Sequence, residues 1–242
     1  MMKFDLAGMR VMLAMPIHRD VPWQTWMSSC QTVEACCTRG VPLQILPTVG
    51  GDTVVTARSM TADAFLRSSC THLFFIDSDM SWDPADFMKF LALATKMECV
   101  IAPYTCKNDV PTFMMNLNDG RPFEDGGIEM TMNEWGCLPV RGLGLGFCVV
   151  QRHIIEKLAE ASPKLKYPAI PDRAIARIFT TDSINGDWRG EDMNFLARVK
   201  DELGYQVWMD PTIVLGHIGA KEYKASLMDL LKQVEPTQAS AA

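Results

Sequence analysis

Apolar positions in the first hundred residues fall in short unbroken runs rather than in alternation. Arg10–Ile17 (RVMLAMPI), Val41–Pro47 (VPLQILP), His72–Asp77 (HLFFID) and Cys99–Ala102 (CVIA) each read as a strand buried on both faces. Between them Trp23–Thr38, Thr56–Ser68 and Asp86–Thr95 read as helices. Gly40 stops the first, and Ala57, Met60, Ala64 and Phe65 recur at helical spacing in the second. Gly50-Gly51-Asp52 is a turn. This alternation predicts a parallel sheet covered by helices, with right-handed crossovers. Ligands of such sheets gather beyond the carboxyl ends of the strands, where His18, Asp52, Asp77 and Asp79 fall.

The pattern changes after residue 103. Residues 104–140 are rich in turn formers, with Met130–Met132 and Leu138–Arg141 as short strands of an antiparallel addition. Gly142–Val150 (GLGLGFCVV) ends as a strand, and Ile154–Glu160 is a helix. Residues 162–187 read as a long, partly polar loop. Glu191–Leu203 is an amphipathic helix stopped by Gly204, Val207–Met209 is a strand, and the chain frays from Glu235.

Composition narrows the class. The chain has 242 residues, 23 basic and 29 acidic, for a net charge of −6, which argues against a strongly basic nucleic-acid binder. With 48% hydrophobic residues it is long enough to bury a core. It has no apolar run of about 18 residues and no basic-then-apolar leader, so a cytoplasmic protein is expected, with any membrane contact peripheral. Its eight cysteines form no CxxC pair and read as buried free thiols.

Three features carry chemistry. Asp77-Ser78-Asp79 ends an intensely apolar strand. Alternate residues of an extended chain share one side, and two carboxylates facing one cleft repel unless a cation such as Mg²⁺ or Mn²⁺ sits between them; a solvated loop capped at Asp83 is the plainer reading. Arg189-Gly190-Glu191-Asp192 opens a helix. Carboxylates there satisfy the helix dipole, or one of them serves as a general base in a cleft. Trp188 beside them either stacks on a sugar ring or anchors a loop. His217, between Gly216 and Gly219, is either a structural histidine or one metal ligand among oxygens.

The order of these features resembles the nucleotide-sugar glycosyltransferases of GT-A fold. VMLAMPIH, TARSMTADAFLRSSCTHLFFIDSDMSWDP, GLGLGFCVV and GDWRGEDMNFLARVKDELGYQVWMDPTIVLGHIG carry the resemblance, over about residues 9–219. It implies a Rossmann-like α/β fold over 1–242, mostly parallel, with a small antiparallel addition. Residues 1–103 would be the nucleotide-binding half, 104–219 the acceptor and metal half, and 235–242 a flexible tail. It implies that Ala14, Met15, Pro16 and His18 cradle the base, that Asp52 contacts it, and that Arg58 approaches the nucleotide. Asp77 and Asp79 become the DxD metal and ribose contacts, His217 the further metal ligand, and Gly144 and Gly146 the lining of the sugar pocket. Asp192 becomes the base of an inverting enzyme, with Glu191 touching a sugar. The cofactor implied is Mn²⁺ or Mg²⁺ and the donor a nucleoside-diphosphate sugar, UDP-linked. The acceptor is open between glycan, lipid-linked sugar, protein, small metabolite and modified DNA. Two other readings are a nucleotidyltransferase, against which the glycine-poor Met15-Pro16-Ile17-His18-Arg19 counts, and a non-catalytic nucleotide- or sugar-binding module. The cations Lys164, Lys166, Arg173 and Arg177 are either a solvated face or a cover for the diphosphate or for an anionic acceptor.

Overall fold

The computed structural model describes residues 4–49, 53–117, 121–122, 128–168, 170–184 and 187–233. The expected alternation is present: β1 (Val11–Ile17), α1 (Trp23–Thr38), β2 (Leu43–Val49), α2 (Val54–Arg67), β3 (His72–Ile76), a short β4 (Met80–Ser81), α3 (Pro84–Ala94) and β5 (Cys99–Ile101). Local chemistry sets the helix starts. The Thr53 hydroxyl accepts from Thr56 N at 3.3 Å to cap α2; the Asp83 carboxylate accepts from Ala85 N at 2.7 Å to cap α3, whose first residue is Pro84.

The second half has more strand than its sequence suggests. Short strands β6 (Met115–Asn116), β7 (Arg121–Pro122), β8 (Ile128–Glu129), β9 (Leu138–Val140) and β10 (Gly142–Leu143) lead to β11 (Phe147–Gln151) and α4 (Arg152–Glu160). The segment expected as a loop holds two hairpins, β12 (Lys164–Tyr167) with β13 (Ile170–Ala176), and β14 (Asp182–Ile184) with β15 (Asp187–Arg189). Helix α5 (Glu191–Ala197) continues into a π-helical turn at Arg198–Glu202, and Gly204 at φ +74° ends the segment. Strands β16 (Val207–Met209), β17 (Gly216–Ile218) and β18 (Glu222–Lys224) and helix α6 (Leu227–Gln233) complete the order.

The central sheet has seven strands in the order β2-β1-β3-β11-β5-β16-β9. Strands β2, β1 and β3 are parallel, as are β5 and β16, while β11 runs antiparallel to both β3 and β5 and β9 runs antiparallel to β16. The sheet is therefore mostly parallel with two reversed strands. Alternate residues feed two cores, one on each face. Met12, Leu73, Phe75 and Val150 pack toward α2, α4 and α5, while Leu13, Phe74, Ile76 and Val149 pack toward α1 and α3. Phe74 stacks on Phe87 with centroids 4.4 Å apart, and Phe75 meets Phe195 edge-on. Such double burial accounts for the unbroken apolar runs in the sequence. All eight cysteines are free, but Cys30 and Cys37 are exposed rather than buried as expected. Both lie on the outer side of α1. Among the described residues no helix is long and apolar enough to cross a membrane.

Candidate active site

Reversal of β11 brings the glycine-rich segment to the site. The carboxyl ends of β1, β3 and β5 share one edge of the sheet; a strand running the other way begins there, so Gly144 and Gly146 arrive beside Asp77. Asp77 N donates to Gly146 O at 3.2 Å. The chain then turns through Ser78 and Asp79 into β4, which pairs with β17 so that Met80 lies opposite His217. Ile218 N donates to Asp79 O at 2.7 Å. This small sheet brings the remote histidine to the second aspartate.

The aspartates have different partners. Asp77 Oδ1 accepts from Arg58 Nη2 at 2.9 Å. The Arg58 guanidinium also donates through Nη1 to Glu191 Oε1 at 2.9 Å and pairs with Asp192. It is 1% exposed, so one buried cation on α2 holds three carboxylates, from the end of β3 and the first turn of α5. Burial works against its charge, but Asp77 and Glu191 outweigh this and raise its pKa further. Asp79 instead pairs with Lys107 and faces His217 Nε2 at 3.5 Å. Burial pushes the Asp79 carboxyl up, but its bonds to His217 and Lys107 prevail and hold it at about 2. His217 Nδ1 lies 2.9 Å from Thr105 O, and a carbonyl only accepts, so Nδ1 carries the hydrogen. Nε2 is left facing the Asp79 oxygen that Lys107 also holds.

Tyr104 fills the space left by the glycines. A Cβ on Gly144 would lie 1.9 Å from the Tyr104 hydroxyl oxygen, and one on Gly146 would lie 2.9 Å from its ring. The ring meets His217 edge-on with centroids 5.2 Å apart, and burial, then Asp77, pushes its hydroxyl pKa up. Gly144→Ala is therefore expected to cost about 1–3 kcal/mol by overpacking. Thermal unfolding checks this. Adding Tyr104→Phe, which deletes the clashing oxygen, restores part of the loss, and an unchanged midpoint in the single variant would refute the wedge.

Two clefts meet at α5. The first, about 310 Å³, is lined by Pro16, His18, Arg58, Asp77 and Asp79 among others; the second, about 570 Å³, by Tyr104, Lys107, Met114, Met115, Gly144 and His217 among others. Glu191 and Asp192 line both. The structure thus gathers Pro16, His18, Arg58, Asp77, Asp79, Glu191, Asp192, Gly144 and His217 around one edge of the sheet. Gly146 backs Tyr104 and Asp77. Trp188, 74% exposed on β15, lines neither cleft. Asp52 lies outside the described residues. Asp77, Asp79 and His217 are not drawn together as a set: among the described residues no three His, Cys, Asp or Glu side chains are grouped to hold a metal. Asp77 is instead bonded to Arg58, and Asp79 to Lys107. The same ion pairs hold the Arg58 guanidinium on three carboxylates at the wall of the first cleft. Lys107, Tyr104 and Thr105 were not anticipated, although CVIAPYTCK continues past a strand end where ligands gather.

This sheet, with its reversed β11 between β3 and β5 and its acidic groups at the strand ends, defines the class of fold: GT-A, the fold of nucleotide-sugar glycosyltransferases. Among solved structures, the chain is similar to A197 from STIV, with a TM-score of 0.52, 20% identity, and coverage of 87% of this chain and 86% of that one. It is also similar to GalNAc-T7, solved with UDP, GalNAc and Mn²⁺, with a TM-score of 0.51, 13% identity, and coverage of 89% of this chain. There it spans 45% of the longer chain. A third is the catalytic domain of Drosophila β1,4-galactosyltransferase 7 with xylobiose, at a TM-score of 0.47 and 14% identity, covering 95% of this chain and 75% of that one. These likenesses concern the fold. No family model and no curated protein sequence matches the chain.

Proposed function

We propose that the chain transfers a sugar from a nucleoside-diphosphate sugar, UDP-linked, to an acceptor hydroxyl with inversion, assisted by Mn²⁺ or Mg²⁺. The supporting observation is that Glu191 and Asp192 stand where the two clefts meet. In this reading the donor enters the cleft of Pro16, His18 and Asp77, and the acceptor enters the cleft that Met114, Met115 and Met193 help to line. Those methionines fit an acceptor that carries its hydroxyl on an apolar body.

Asp192 takes the hydroxyl proton, and Arg58 fixes the orientation of its carboxylate. Glu191, on the same guanidinium, faces the sugar. With Nε2 unprotonated, His217 and Asp79 Oδ2 would together suit a divalent cation. Bound there, the ion would neutralise charge on the departing diphosphate. Lys107, already on Asp79, adds a second positive group at that position.

Asp79→Ala is expected to abolish Mn²⁺-dependent UDP binding in a calorimetric titration; undiminished binding would remove the ion from this site. Incubation with UDP-glucose or UDP-galactose tests the reaction. Slow release of UDP supports sugar transfer, release of pyrophosphate from a nucleoside triphosphate would favour nucleotidyl transfer, and binding without turnover would favour a non-catalytic module.

A further inference from the structure

Helix α1 has its apolar face outward. The side chains it turns inward are small and polar: Thr25, Ser28, Ser29 and Thr32 are buried, together with Cys36. Trp82 satisfies two of them. The Ser28 hydroxyl accepts from Trp82 N at 3.0 Å and donates to Trp82 O at 2.9 Å, and Thr32 Oγ1 accepts from Trp82 Nε1 at 2.8 Å. The side chains α1 turns outward are large: Trp23 is 70% exposed, Trp26 65%, Met27 48% and Val33 37%, and Cys30 and Cys37 are exposed with them. Surface helices ordinarily show the opposite arrangement.

The outward set has a period. Trp23, Cys30 and Cys37 are seven apart, and Trp26 and Val33 fall three residues after the first two. This is the a/d spacing by which one helix packs against another, with Met27 beside it. The helix contains a single charge, Glu34, exposed at the edge of the stripe one turn after Cys30.

We propose that α1 packs against α1 of a second copy of this chain, antiparallel, with Cys30 at the two-fold axis. Residue 30 lies at the middle of Trp23–Thr38, so the axis sets Trp23 of one copy against Cys37 of the other and Trp26 against Glu34. Antiparallel helices also align their dipoles favourably. Two tryptophans about two-thirds exposed, with Met27 and the smaller residues, give roughly 500–600 Å² per copy, on the order of 1,100 Å² in total, which reaches the size of a specific interface. A net charge of −6 disfavours the other flat occupant, an anionic lipid surface.

Sedimentation equilibrium of the full chain over a concentration series is the test. The expected mass at high concentration is twice the 27.0 kDa of one chain. Trp26→Glu returns it to that of a single chain without moving the thermal midpoint, because the replaced side chain is exposed. A short bis-maleimide links wild type and Cys37→Ser into covalent dimers but not Cys30→Ser. A monomer at every concentration, a dimer undisturbed by Trp26→Glu, or a monomer that co-sediments with phosphatidylcholine vesicles would each overturn the proposal, the last by identifying lipid as the occupant.

Discussion

Asp192→Asn is expected to lower turnover about 10²–10⁴-fold while leaving UDP affinity nearly unchanged, the loss typical of removing a positioned general base. The substitution keeps shape and removes basicity. Its effect on folding is small because Arg58 retains Asp77 and Glu191, each at 2.9 Å. Single-turnover rates alongside UDP titration separate the two quantities. A variant with wild-type turnover would exclude Asp192 as the base, and one that loses UDP binding as well would recast the residue as part of the donor cradle.

Arg58→Met is expected to destabilise the fold by about 3–5 kcal/mol, because it leaves three half-buried carboxylates crowded together without their buried counter-charge. For a chain of this size that corresponds to roughly 6–20 °C in the thermal midpoint. The sign of the pH dependence follows from crowding. Without the cation, Asp77, Glu191 and Asp192 repel one another, so their folded-state affinity for protons rises above that in the unfolded chain. The stability of the variant is then best below the unfolded carboxyl pKa and falls as pH rises. Its deficit should be smaller at pH 4 than at pH 7 in paired melts, and a constant deficit would show that repulsion is not its source. Arg58→Lys should recover only part of the loss, since one ammonium cannot present a planar fork to three acceptors.

The parts of this arrangement that could be read from the chain are those with a local signal. HLFFI followed by DSD is a buried strand ending in carboxylates, and the helical spacing of apolar residues in α2 and α5 puts Arg58 and Asp192 on helices without reference to anything distant. The partnership of Arg58 with Glu191 spans 133 residues, and no periodicity encodes it. The direction of Phe147–Gln151 was equally hidden, because an unbroken apolar run looks the same parallel or antiparallel. Other features carried a signal that loop composition obscured. Lys164 and Lys166 alternate with Leu165 and Tyr167, a period of two that belongs to the hairpin of β12. In α1 the helix length was legible, but the inversion of its faces was not, because its buried hydroxyls depend on Trp82, some 50 residues away.

The place of β11 in the sheet also bears on synthesis. Strands β3 and β5 are complete by residue 101, yet they are not neighbours in the sheet; the ribbon that joins them emerges only with residues 147–151. A nascent chain must hold two open sheet edges until that insertion closes the gap, a long-range closure of the kind that slows folding and exposes edges to neighbouring chains.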